Sequence, residues 1–348
     1  MCIRDSPRTL SILDRFGSTR RIKIKRYGDV FNKKSQNFRL QKSNPALILA
    51  RKHQGLVLDA PDSFGIGGTK NYYFSHMFNC IYDCRYCFLQ GMYSSANYVV
   101  FVNYEDFDKN IEDLVSSNPN ENLTFFSGYD CDSLALENIT GFVEHTLPVF
   151  QKFDNAVLEL RTKSIQLKPL LEFTPMKNCV IAFSLMPRSM SDSLDHKTPK
   201  ISERIKAISK LAELGWKIGL RFDPLIHGKD WKILYKELFD DIMLNVPETA
   251  IHSVSVGPLR FPKNIFRNIS KLYPEEKLFA GPLVNSPRTT SYAENVEKEM
   301  TDYCLEHISR FVHKSAIFNC LSSTAVSYTH LRAHETVLDL VCRLLLEK

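Results

Sequence analysis

Within Phe78 to Gly91, Cys80, Cys84 and Cys87 stand in a C-x3-C-x2-C spacing. Thiolates are soft ligands, and spacings of two and three residues let one loop wrap three sulfurs around a single iron–sulfur cluster. No fourth cysteine follows at matching spacing, and three protein ligands plus an open position is how a metal centre is left free to do chemistry. The same thiols also admit a Cys3His zinc site completed by His76, or plain burial. A second group of candidates lies in Leu158 to Ser164, where Glu159, Arg161 and Lys163 share one strand face and Leu158 and Leu160 the other. Charges on an inward face need a polar partner, either a ligand or one another in an internal salt-bridge network.

The elements that must position these residues are legible from periodicity. Asn71 to Met77 reads as a strand followed by the cysteine loop, and Asn103 as the N-cap of a helix to Ser117. Strands at Asn122–Ser127, Val157–Thr162, Asn178–Leu185, Trp216–Phe222 and His252–Val256 alternate with helices at Ser133–Gln151, Ile165–Leu171, Pro199–Leu214, Asp230–Leu244 and Pro262–Leu272. Six strand–helix units imply an α/β fold with parallel strands and right-handed crossovers, curving into an open or closed barrel. The cysteines then fall just beyond the C-terminal end of the first strand, the face on which such barrels hold their sites. Tyr273 to Cys320 is less legible and is expected to cover one end.

At 348 residues, 44% hydrophobic and 24% charged, the chain is long and apolar enough for a sizeable core. No run of 18 apolar residues exists and the first residues lack a signal-peptide pattern, so a membrane partner is not expected. Nine unevenly placed cysteines fit a reducing cytoplasm. Arg20 to Lys52 holds eleven lysines and arginines against Asp29 alone, a local +10 in a chain of +6, which leaves −4 elsewhere. Such concentrated charge suits a nucleic-acid backbone, with Tyr27, Phe31 and Phe38 placed either to stack on bases or to anchor the segment to the core; a solvated strand at Arg21–Lys25 explains the charge equally well. The expected organisation is a basic segment over 7–70, a barrel over 71–272 and a cap over 273–324. The head 1–6 and tail 325–348 resemble translated sequencing-adapter read-through; a C-terminal amphipathic helix carrying Leu338, Val341, Leu344 and Leu345 is the alternative for the tail.

The cysteine motif resembles that of the radical S-adenosylmethionine (SAM) superfamily, and its surroundings over Tyr72 to Leu272 resemble the spore photoproduct lyase family. The resemblance implies an incomplete (β/α)6 TIM-like barrel, with Cys80, Cys84 and Cys87 holding a [4Fe-4S] cluster whose fourth iron is chelated by SAM. It implies an external one-electron donor of flavodoxin or ferredoxin type, release of a 5′-deoxyadenosyl radical, and cleavage of thymine dimer lesions in DNA. It also implies SAM contacts at Gly128, Asp130, Lys163, Ser184, Glu203 and Arg204, with a helical salt bridge as the competing explanation for the last two. Arg221 and Asp223 are further candidate pocket residues. Cys131 stands near the family's hydrogen-donating cysteine, one or two positions off, with Tyr129 nearer that place; packing as a small hydrophobe is the other reading of Cys131. Tyr86 matches one of the family's two relay tyrosines, whereas Phe88 replaces the other and has no O–H. These departures leave two alternatives open: a radical SAM enzyme acting on a modified nucleoside, RNA or peptide, and a non-enzymatic zinc- or cluster-bearing nucleic-acid-binding module.

Overall fold

Runs such as Leu123–Ser127 and Cys179–Ser184 are buried along almost their whole length, as expected of inner strands of a parallel sheet covered on both faces. The computed structural model describes residues 6–61, 64–319 and 341–345. It places seven strands in parallel: β1 (Lys70–Phe74), β2 (Leu123–Ser127), β3 (Ala156–Thr162), β4 (Cys179–Ser184), β5 (Lys217–Leu225), β6 (Ile251–Pro258) and β7 (Ile317–Asn319). They are hydrogen-bonded in chain order, with Val57–Asp59 added antiparallel beside β1. The two edge strands do not pair with each other among the described residues, so the α/β barrel is open.

The crossovers are α1 (Tyr104–Ser117), α2 (Phe142–Phe150), α3 (Lys168–Glu172), α4 (Ile201–Glu213), α5 (Trp231–Asn245) and α6 (Glu294–Ile308). Asn103 holds the N-cap position of α1, but its side chain bonds the Lys52 backbone and the Asp106 carboxylate and caps no N–H of the first turn. The single helix expected over 133–151 is broken in two at Gly141, whose left-handed φ of +56° ends Glu137–Thr140 before α2 begins.

One expected crossover is something else. Lys263–Leu272 does not bridge the last strands; it packs on the short helix Leu89–Met92 that closes the cysteine loop. A Cβ on Gly91 would lie 2.6 Å from the Ile265 carbonyl, so the close approach needs glycine there, and Asn268 Nδ2 donates to the Gly91 carbonyl at 2.9 Å. The sixth crossover is α6, from the stretch expected only to cover the barrel. That stretch also supplies β7 and two strands, Thr289–Tyr292 and Leu283–Asn285, that join Arg260–Pro262 in a three-stranded antiparallel sheet. Three-residue strands carry too little periodicity to be read from sequence.

A second sheet, in the order Arg21–Ile24, Val341–Leu345, Ala46–Ala50, Tyr98–Phe101, Met77–Phe78, packs the N-terminal segment against the cysteine loop. Val341–Leu345 is an antiparallel strand in it, not part of a helix. The remainder of the suspected tail, and residues 1–5 of the head, lie outside the described residues. Tyr27, Phe31 and Phe38 anchor to the core: Phe31 and Phe38 are buried, and Tyr27 packs on Phe31, Phe78 and Phe101.

Candidate functional site

The cysteine loop leaves β1 and is pinned from three directions. Lys42, from the basic segment, donates from Nζ to the Cys80 and Tyr82 carbonyls at 2.9 Å each. Asp195–His196 pairs antiparallel with Asp83–Cys84. Gln90 donates to the Cys84 carbonyl at 2.6 Å and accepts from the Tyr273 hydroxyl, while the Arg85 guanidinium lies 4.0 Å over the Tyr273 ring and pairs with Asp83 at 3.0 Å.

Cys80, Cys84 and Cys87 thereby line one cavity of about 330 Å3. All three are free thiols, and burial raises their pKa values, that of Cys80 to about 12. Among the described residues no three His, Cys, Asp or Glu side chains converge on a single ion. Three sulfurs on one cavity wall are what a multi-iron cluster would need. His76 cannot complete a zinc site here. Its ring stacks on Phe142 at 3.8 Å, its Nδ1 lies 3.9 Å from Cys131 Sγ, and it is not on the cavity wall. Burial holds its pKa near 3.

The same cavity is lined by Gly128, Tyr129, Cys131, Lys163 and Ser184, all from the C-terminal ends of β2 to β4 or just beyond. Gly128 has φ +83°, and a Cβ there would meet Ser133 Oγ at 2.6 Å. Burial alone would lower the pKa of Lys163, but Cys84 and Asp195 outweigh it and raise it, so an ammonium is held beside the thiols. Cys131 and Tyr129 are kept protonated by burial, with Asp130 adding to the effect; the Tyr129 pKa is pushed up to about 12. Tyr129 packs on Tyr73 at 4.4 Å and on Phe88 at 5.8 Å.

Three expected cofactor contacts are not on the wall. Asp130 is buried away from it: its N–H donates to Ser75 Oγ, and its carboxylate is a source of charge for Lys52 and Tyr93. Glu203 is exposed and accepts from the Lys200 N–H at 2.8 Å, capping the start of α4. Arg204 is fully buried, pairs with Asp195 at 2.9 Å, and donates to the Ser184 carbonyl at 3.1 Å, so it supports the wall from behind and makes no solvent-facing pair with Glu203. Tyr86 presents its ring to the cavity, but its hydroxyl donates to Asp195.

Glu159 and Arg161 do form the internal network, and both also line the cavity. Arg221 donates to both Glu159 oxygens at 2.7 and 3.3 Å with both side chains fully buried, and Arg161 reaches Glu159 at 3.3 Å and Asp223 at 3.5 Å. Burial alone would raise the Glu159 pKa; the two guanidiniums outweigh it and lower it. Among the residues that escaped the sequence reading are Asp132, Lys42 and Arg260. Asp132 accepts from the Leu134, Ala135 and Lys163 N–H groups and from Thr162 Oγ1, and so fixes the turn that aims Lys163. Its position two residues before a turn is a weak signal. Lys42 was hidden in a run of like charges, and Arg260 reaches the wall from the antiparallel sheet.

A family model described as "Spore photoproduct lyase" matches residues 68–295. A spore photoproduct lyase of Bacillus subtilis (strain 168) is 24% identical over 202 residues, 57% of this chain and 59% of that protein, and one of Clostridium acetobutylicum is 20% identical over 260 residues, 72% and 76%. The chain thus spans less than two thirds of the first of these relatives. Solved spore photoproduct lyase structures, one of a variant with a dinucleoside spore photoproduct and one with bound AdoMet besides, share the fold at TM-score 0.75 and 18% identity, covering 92% of this chain and 96% of theirs. With the family model matching well over half of its residues, and the motif cysteines inside the match, the chain belongs to the spore photoproduct lyase family.

Proposed function

We propose that this protein is a radical SAM lyase that acts on thymine dimer lesions in DNA. The observation that carries the reading is the convergence of Cys80, Cys84, Cys87, Gly128, Lys163 and Cys131 on one cavity at the C-terminal ends of the strands. Cys80, Cys84 and Cys87 would hold a [4Fe-4S] cluster with one iron left open, Lys163 would face the SAM carboxylate, and Gly128 would let backbone approach the cofactor. When bound, cluster and SAM supply one-electron cleavage of SAM to a 5′-deoxyadenosyl radical, with an external one-electron donor feeding the cluster. The chain's own part is to exclude water and to hold hydrogen where it is needed. Burial keeps Cys131 as S–H, the form that can donate a hydrogen atom. No helix among the described residues is long and apolar enough to cross a membrane, and a cytoplasmic location fits the free thiols.

The test is to incubate the anaerobically reconstituted protein with dithionite, SAM and ultraviolet-irradiated DNA and to quantify thymine returned from the lesion. Lesion loss is expected; SAM cleavage with the lesion intact would defeat the repair reading and leave the radical chemistry standing. Phe88 on the cavity wall favours one second reading, the same radical chemistry on another nucleoside, RNA or a peptide. Deuterium transfer from labelled candidates into 5′-deoxyadenosine separates the two.

A further inference from the structure

We infer that Lys42 is a positioning residue for the cluster, fixing the cysteine loop and placing an ammonium against its backbone. The inference rests on the cluster reading and adds to it a residue from outside the motif. Lys42 lies on the short helix Phe38–Ser43, which Asn37 caps by accepting from the Leu40 N–H at 3.0 Å and which Phe38 anchors in the core. Adjacent side chains of this helix grip both ends of the cysteine loop. Gln41 Oε1 accepts from the Ala96 N–H at 3.0 Å and from Ser95 Oγ at 3.2 Å, where the chain leaves the loop, and Lys42 Nζ donates to the Cys80 and Tyr82 carbonyls, where it enters. Lys197 Nζ donates to the Lys42 carbonyl at 3.3 Å, tying the helix to the strand segment that pairs with Asp83–Cys84.

Lys42 is 8% exposed, and both acceptors are neutral carbonyls, so its hydrogen bonds orient the ammonium without cancelling its charge. The reduced cluster carries one more negative charge than the oxidised one, so a buried cation at fixed distance stabilises the reduced state more. Net charge and surrounding hydrogen bonds are the levers by which a protein sets such a potential. A carbonyl-bound lysine under the loop therefore makes the cluster easier to reduce and holds its first ligand in place.

The experiment compares the full chain with Lys42→Met, Lys42→Gln and Lys42→Arg, each checked for folding by circular dichroism. It reads iron per chain after anaerobic reconstitution and the cluster midpoint by spectroscopic redox titration. Both neutral variants are expected to raise the oxidised-to-reduced ratio at the wild-type midpoint about tenfold, a shift of about 59 mV for one electron. Glutamine carries the test if methionine impairs folding, and arginine is expected to keep loading and midpoint near wild type. Neutral variants that load iron with an unmoved midpoint, or an arginine variant as defective as the neutral ones, would overturn the inference. Wild-type chain that takes up no iron would instead defeat the cluster reading beneath it.

Discussion

Gly128 and Lys52 show how single positions are constrained around the cavity. At Gly128 the backbone is left-handed, and an added Cβ would also lie 3.2 Å from the Arg161 carbonyl. Gly128→Ala is expected to lose about 1–3 kcal/mol of stability in urea unfolding and to weaken SAM retention on the reconstituted protein by equilibrium dialysis. Lys52 Nζ lies 5.4 Å from the Phe78 and Phe101 rings, and burial lowers its pKa to about 8 although Asp130 pulls the other way. The unfolded chain then holds the proton that the folded one releases between pH about 8 and 10.5. Stability therefore rises with pH across that window, and the cost of burying the charge is fully present below it. Lys52→Met is expected to gain about 1–3 kcal/mol at pH 7 and to flatten that rise, read by urea unfolding at pH 7 and pH 10. An unchanged pH profile would contradict the assignment. That Cys80, Cys84, Cys87 and Lys163 come to one cavity was legible because short spacings and strand alternation are local properties. That Asp130 lies off the cavity wall was not legible, because the residue after a turn can face either side of it.

Elements meet at the Arg204–Asp195 pair. Arg204 on α4 reaches the end of β4 through the Ser184 carbonyl, the turn before α4 through the Pro199 carbonyl, and the cysteine loop through Asp195, which also takes the Tyr86 hydroxyl. Burial alone would raise the Asp195 pKa; Lys163 and Arg204 outweigh it and lower it. The pair thus stabilises the fold above the ordinary carboxylate pKa, and this is lost as pH falls through the lowered folded value. Arg204→Met leaves a buried carboxylate without its main partner and is expected to cost about 3–5 kcal/mol, with acid unfolding moved to higher pH, as followed by circular dichroism. The central strands and helices were legible because long periodic runs outweigh local noise. Lys263–Leu272 misled because an amphipathic helix reads the same whichever neighbour it packs on.

Across the molecule, the basic segment divides into two populations. Lys42 and Lys52 are buried, Arg51 pairs with Asp106, and Arg39 pairs with Glu275. Arg20, Arg21, Lys23, Lys25, Arg26, Lys33 and Lys34 are exposed. If the exposed set contacts DNA, replacing Lys23, Lys25 and Arg26 by serine should weaken binding at low salt and reduce the slope of log affinity against log salt by up to about 3. Fluorescence anisotropy on a labelled duplex over a salt series measures this, and an unchanged slope would assign the charge to solvation alone.

What the sequence determined by itself was the family resemblance and the class of scaffold: three cysteines in a C-x3-C-x2-C spacing, and strands alternating with helices, both written in short-range spacing. The tertiary structure alone decided which charges face the cavity and which brace it, because burial and partnership depend on residues far apart in the chain. Lys42 meets Cys80 across 38 positions, Arg221 meets Glu159 across 62, and Tyr273 meets Gln90 across 183. No local pattern encodes such pairings; they exist only once the parallel sheet has brought its strand ends together.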